Sequence, residues 1–341
     1  MDPKDWRARL PGSPELLPFA IDPRTDRVEL LALQPVDYEK ASFLDARLTA
    51  PVAAVVPFAE LQAAAAALPV AADFIFHIGH AGSTLLSRLL GQHAAVFSLR
   101  EPMALRAFAT GDGWDAAALD ARLTTFLALY SRTWRPGQRA LIKATSSVGE
   151  IAGRLLTLAP GARAVMMTLR PEPYLATILG GPNSRVELEG AAASRIARLR
   201  RRFPDAGFRL DGLSIGELTA MSWVCEMAGL VAGAAGRAER VLWLDFDTFL
   251  ADPAAALAAA LGLIHGDAAE APRLAQSPYL QRYSKAPEYA YGPEVRAQTL
   301  AAARRDDAAE IARGLAWLDD AARDPRLAPV LAAADSAIPG R

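Results

Sequence analysis

The sequence predicts an α/β fold with a mostly parallel central sheet covered by helices on both faces, and two observations carry that prediction. The first is a set of five short apolar runs, Asp73 to His77, Val96 to Leu99, Ala140 to Lys143, Ala162 to Leu169 and Arg240 to Leu244. Helical stretches too long for hairpins separate them, which argues for parallel strands buried on both faces. The second is the passage DFIFHIGHAGSTLLSRLLGQH from Asp73 to His93, an apolar strand, then a small-residue loop with Gly79 and Gly82, then a helix from Ser83. Leu85, Leu86, Leu89 and Leu90 share one face of that helix. Unpaired amides at its start and the positive end of its dipole make the loop an anion site.

Before this passage, residues 1–72 carry scattered prolines, short apolar runs and an Ala-rich helical pattern from Phe58 to Leu68, and are expected to pack on the core as an extension. The core is expected over 73–265, with 266–341 adding a loop and two helical patterns to the same domain. Within the core, Pro102 ends the second strand, and Leu119, Leu123, Phe126, Leu127 and Tyr130 recur near a period of 3.6. A helix from Gly149 to Leu158 follows the third strand, and Pro160-Gly161 ends it. Ile196 to Phe203 is a basic helical end, whose arginines Arg198, Arg200, Arg201 and Arg202 read as a solvated face. Asp252 with Pro253 behind it forms a favourable helix start.

Composition narrows the function classes. The 341 residues are 52% hydrophobic and 22% charged with net charge −1, which suits a large buried core and gives no electrostatic footprint for nucleic acid. The stretch from Ser214 to Gly236 is apolar but interrupted by Glu217 and Glu226, so it reads as a core helix rather than a membrane span. The N-terminal residues mix charges and prolines where a signal peptide would lie, and the single cysteine, Cys225, allows no intramolecular disulfide. A cytoplasmic location is the expectation.

In parallel sheets ligands collect beyond the carboxyl ends of the strands, so the loops after His77, Leu99, Lys143, Leu169 and Leu244 are where chemistry is expected. A phosphoryl-transferring P-loop needs a lysine directly after the last glycine and a hydroxyl for magnesium. Gly82 is followed here by Ser83 and Thr84, so the hydroxyl is present and the lysine is not. The close spacing of His77 and His80 invites a metal, but no second cysteine or paired carboxylate lies beside them, and no metal is expected.

FIFHIGHAGSTLLSRLL, then SLREP, then a strand ending in LRPEP, then VLWLDFDTFLADPAAALAAALGL, resemble in that order the P-loop-like sulfotransferase family, over roughly Asp73 to Leu263. The resemblance implies a three-layer α/β architecture and 3′-phosphoadenosine 5′-phosphosulfate as co-substrate, with no metal. It implies that Ala81, Gly82, Ser83 and Thr84 cradle the phosphosulfate, and that Arg170 with a hydroxyl on the next helix binds the 3′-phosphate. Thr177 is the nearest hydroxyl, one residue short of the common spacing, and Ser184 is a second candidate. Lys285, in RYSKAPEY, lies in a loop placed to close over the nucleotide as a basic loop does in the family. Where the family has a lysine or arginine two residues before the loop glycine, this chain has His80, a cation only in part near neutrality.

Sulfuryl transfer to a hydroxyl or amine needs a group that takes the acceptor proton, and the resemblance to carbohydrate and tyrosine sulfotransferases, which use a glutamate near this position, implies that Glu101 after the second strand is that base. Lys143 is a further candidate for the same pocket, and Asp245 and Asp247 are expected to be structural. The expected activity is sulfuryl transfer to a small-molecule or carbohydrate-like acceptor, with Glu101 and His80 as its catalytic pair. A phosphotransferase with an atypical loop and a non-catalytic nucleotide-binding module are the competing expectations.

Overall fold

The computed structural model describes residues 6–264, 267–286 and 288–338. The boundary expected between 265 and 266 lies outside the described residues. The chain begins with helix α1 (Trp6–Arg9) and a three-stranded antiparallel sheet of β1 (Leu16–Asp22), β2 (Arg27–Ala32) and β3 (Val52–Pro57), with α2 (Pro35–Lys40) between the last two. Sequence reading did not anticipate these strands. Leu16 to Phe19 are buried without alternation and Pro18 interrupts the run, so neither the two-residue period nor the usual composition marks a strand.

After α3 (Phe58–Ala65) comes the central sheet: β4 (Ala72–His77), α4 (Ser83–Leu90), β5 (Val96–Arg100), α5 (Ala104–Thr110), α6 (Ala116–Tyr130) and β6 (Arg139–Lys143). A 3₁₀ turn over Ser146–Ile151 leads into α7 (Ala152–Leu158), which therefore starts three residues later than its sequence pattern suggests. Then follow β7 (Ala164–Thr168), α8 (Pro171–Leu179), α9 (Pro182–Arg202), α10 (Ile215–Ala234), β8 (Val241–Asp245), α11 (Phe246–Ala251) and α12 (Pro253–Leu263). The chain closes with α13 (Ala271–Leu274), α14 (Pro293–Asp306), α15 (Ala308–Arg323) and α16 (Ala328–Ala337), so the two helical patterns expected near the end resolve into three longer helices.

The five strands form one parallel sheet in the order β5-β6-β4-β7-β8, as the apolar runs predict. All six residues of β4 are buried, and successive side chains point to opposite faces, so helices cover both faces. From β4 the chain winds first toward β5 and β6, then toward β7 and β8. This reversal places a crevice at the carboxyl end of β4, the position where doubly wound sheets bind ligands.

The N-terminal sheet is tied to the core by polar bonds as well as by packing. Tyr130 donates its hydroxyl proton to the Pro18 carbonyl at 2.8 Å, and Arg132 donates to the carbonyls of Ser13 and Leu16 at 2.8 and 2.7 Å. Helix α10 is long and apolar enough to cross a membrane, but most of it is buried within the fold, as the two glutamates in its sequence suggest. Glu226 accepts from Arg195 and Arg198 at 3.1 and 2.7 Å, so Arg198 is part of a buried ion cluster and not of a solvated face. The basic run hides this because helical period alone does not say which arginine turns inward.

Candidate active site

The crevice at the end of β4 is built by a loop whose backbone is forced into rare conformations. Gly79, His80 and Gly82 all have left-handed φ values, 83°, 52° and 70°. A Cβ on Gly82 would lie 2.1 Å from the Phe246 ring, so that position requires glycine for space as well as for conformation. His77 shapes the turn: its Nδ1 accepts from the Gly79 amide at 2.9 Å and its Nε2 donates to the Ala144 carbonyl at 2.9 Å. Burial pushes its pKa down to about 3, so the ring is neutral and both nitrogens are used by backbone. Among the described residues no group of three or more His, Cys, Asp or Glu is placed to hold a metal ion.

Helix α4 starts at Ser83 with Gly82 as N-cap, and no side chain caps it. Its first-turn amides therefore point into the crevice unmatched by any capping oxygen. They open onto a cavity of about 500 Å³, within the range of small-molecule sites. Of the residues expected at the site, His80, Ala81, Gly82, Ser83, Thr84, Glu101, Thr177, Ser184 and Lys285 all line this cavity. Arg170 does not. It is the N-cap of α8 and lines a separate depression with Trp223, Leu318 and Asp335.

The structure brings His80 and Ser184 together although they are 104 residues apart. The Ser184 hydroxyl lies 3.3 Å from Nδ1 of His80, and Glu187 lies 3.2 Å from Nε2. The bond from His80 holds the Glu187 carboxyl well below its usual range, at about 2. His80 and Glu101 are two of the three non-glycine residues with positive φ among those described, the third being Asp26. Such conformations cost energy and persist where the surroundings impose them, which is frequent at functional sites.

Glu101 follows β5 and is 6% exposed. Its carboxylate accepts from the Lys143 ammonium, from Arg106 at 3.0 Å and from the Thr145 hydroxyl at 3.1 Å. Burial works to raise its pKa, but Lys143, His77 and Arg106 outweigh it and hold the carboxyl at about 2. Lys143, buried at the end of β6, also lies 5.2 Å from the centroid of the Phe43 ring. It brings a buried lysine from a neighbouring strand to the wall of the same cavity.

Sequence reasoning missed Arg47, Arg106, Arg282 and Arg296, which also line the cavity. Arg296 is the most informative. It is 4% exposed, pairs with Asp247 at 2.8 Å, lies over the Phe246 ring at 4.7 Å and reaches the Thr177 hydroxyl at 3.4 Å. An arginine beside Thr177 was expected from the end of β7, but this one comes from the first turn of α14. Asp245 caps α11 by accepting from the amides of Asp247 and Thr248, each at 3.0 Å.

No family model matches the chain, and no curated protein matches it. Among solved structures, it is similar to the sulfotransferase domain from the curacin biosynthetic pathway at 12% identity and a TM-score of 0.39, covering 73% of this chain and 97% of that one. It is also similar to the sulfotransferase domain from the Synechococcus PCC 7002 olefin synthase at 16% identity and a TM-score of 0.38, covering 78% of this chain and 93% of that one.

Proposed function

We propose that the chain transfers a sulfuryl group from 3′-phosphoadenosine 5′-phosphosulfate to a hydroxyl or amine of a small-molecule or carbohydrate-like acceptor. The observation that carries this reading is the uncapped start of α4 opening into a cavity rich in arginine and lysine. The residues present fit such a donor. The Gly82 backbone and the Phe246 ring close on each other without room for a Cβ, and the amides beside them have no capping oxygen. The donor supplies an activated sulfuryl group on a phosphate anhydride.

In this reading the amides from Ala81 to Thr84, with the Ser83 and Thr84 hydroxyls, hold the phosphosulfate end. Arg296 and Thr177 hold the 3′-phosphate, since a guanidinium suits bidentate phosphate contact. His80 exchanges Glu187 for an oxygen of the transferring group, and Ser184 keeps its ring oriented. Lys285 closes the cavity over the nucleotide. Glu101 takes the acceptor proton after the new S–O or S–N bond has formed and the S–O bond to the leaving phosphate has broken. A carboxyl held at about 2 is a weak base, so proton transfer comes late, when the acceptor oxygen is already bonded and acidic. The Lys143 ammonium, in the same cavity, adds positive potential where charge develops on the leaving oxygen.

Radiolabelled donor and a broad acceptor panel test the reaction, and turnover unchanged in His80→Ala would remove the role given to that residue. Binding is tested separately with adenosine 3′,5′-bisphosphate in the absence of magnesium. Arg296→Ala is expected to weaken it about tenfold, while Arg170→Ala leaves it within about twofold; the reverse result would return the phosphate to Arg170. Stabilisation by ATP with magnesium and not by the bisphosphate would favour phosphoryl transfer. Tight bisphosphate binding without transfer to any acceptor would favour a binding module.

A further inference from the structure

A second cavity, of about 840 Å³, lies along the edge strand β5 beside the end of α4, and among the described residues none lines both cavities. Its floor holds two buried guanidiniums, Arg88 and Arg100, 4% and 5% exposed. Both are bonded to neutral oxygens. Arg100 donates to the carbonyls of Tyr38, Glu39 and Ala41, and Arg88 to those of Glu39, Lys40 and Ser284 and to the Ser42 hydroxyl.

These bonds satisfy the last carbonyls of α2 but leave charge uncompensated, because a helix end supplies only about half a negative charge. Among the described residues no carboxylate pairs with either arginine; Glu39, the acid that faces Arg100, is exposed. Burial, acting with the neighbouring Arg88, pushes Arg100 down to about 10, which records the cost of holding two cations together out of water. Arg132 also binds carbonyls but lines neither of these two cavities, so carbonyl-bound arginine alone does not make a site.

Two further features distinguish the second cavity. Arg135 and Arg273 stand on its exposed rim; among the described residues Arg273 pairs with Glu270 and Arg135 has no acidic partner. The buried indole Nε1 of Trp134 in its wall has no hydrogen-bond partner among the described residues. The wall beside it is aromatic, with Tyr38 edge-on to Phe97 at 5.0 Å and to Trp134 at 6.2 Å.

We infer that this cavity is a second binding site, separate from the loop cavity, for a small phosphate or sulfate ester: Arg88, Arg100 and the rim arginines meet the anion, Trp134 donates to it, and the aromatic wall receives the organic body. The inference stands independently of the donor proposed for the loop cavity. Arg88 also holds Ser284 in the wall of the loop cavity, and Arg100 is buried against α2, so the rim pair is the informative variant.

The test is calorimetric titration of the full chain with phenyl phosphate and with inorganic phosphate, at ionic strength held constant with chloride. Phenyl phosphate is expected to bind the parent more tightly than inorganic phosphate. It should bind about tenfold or more weakly to Arg135→Ala/Arg273→Ala, and Trp134→Phe should weaken it without unfolding the chain. Lys285→Ala, in the other cavity, should leave it unchanged. Binding lost in Lys285→Ala and kept in the rim variant would assign the anion to the loop cavity and overturn the proposal. Absence of binding, or heats that vanish at matched chloride, would overturn it as well, and equal affinity for the two probes would overturn the ester assignment.

Discussion

Helices α4 and α10 are both buried and both lie beside a glutamate held by two cations, yet one region is closed and the other is open. At α10, Ser214 accepts from the Glu217 amide at 3.3 Å and Glu217 accepts from the Ser214 amide at 2.7 Å, so the helix start is satisfied by its own residues. Its flank is shut by glycine contacts, since a Cβ on Gly216 would lie 1.9 Å from the Glu310 carbonyl oxygen. At α4 the N-cap is Gly82, which has no side chain to offer, and the amides face a cavity. The two carboxylates differ in the same way. Glu226 sits with Arg195 and Arg198 inside helix packing, whereas Glu101, with Lys143 and Arg106, lines the cavity. One region satisfies its polar groups internally, and the other leaves a helix start without a capping oxygen at the wall of a cavity.

The largest expected break is removal of either carboxylate's charge. Glu101→Gln and Glu226→Gln should each cost about 3–5 kcal/mol, since each leaves buried cations uncompensated, and chemical denaturation at neutral pH checks both. Only Glu101→Gln should also abolish transfer. The two states of Glu101 also predict a pH dependence. Its carboxyl is held at about 2 against an ordinary 4.5, so the stability it contributes is fully present above about pH 4.5 and is lost as pH falls toward 2. The difference between parent and Glu101→Gln should therefore shrink on acidification through that window, and a difference that stayed constant would show that the pair does not act through charge.

Gly82→Ala comes next. A left-handed alanine costs about 1–2 kcal/mol and the contact with Phe246 adds about 1–3, so a loss near 3 kcal/mol is expected, together with lost bisphosphate binding. Measured against Phe246→Ala as the reference, which carries its own cavity cost, Gly82→Ala should lose only the conformational part of about 1–2 kcal/mol. The smallest effect is at the other helix. Ser214→Ala should cost about 1 kcal/mol and leave bisphosphate affinity unchanged, and a change in affinity there would break the contrast between the two helix starts.

Much of the α4 region was legible before any coordinates, because its signals are local. Glycines at 79 and 82 between an apolar strand and a leucine-faced helix already imply a turn that leaves amides free, and Asp73 to Thr84 is a short enough window for that pattern to hold. Arg170 illustrates where the same reasoning stops. Its position after β7 was readable, but the depression it lines is shared with Trp223, α15 and α16, which lie far along the chain. The N-terminal strands were illegible for a different reason. Near-continuous burial removes the alternation from β1, β3 is mostly half-buried or exposed and so shows no clear period either, and all three pair with one another rather than with the parallel sheet.

The sequence by itself determined the five parallel strands, the covered sheet, the glycine turn that leads into an uncapped helix, and the absence of the ordinary P-loop lysine. Those follow from backbone preference and apolar period, which act over a few residues. Tertiary structure alone decided that Lys143 from β6 and Arg296 from α14 join the turn, that Ser184 and Glu187 hold His80, and that Arg88 and Arg100 share a second cavity. Side chains a hundred residues apart meet only when packing closes the chain between them, and no local preference encodes that meeting.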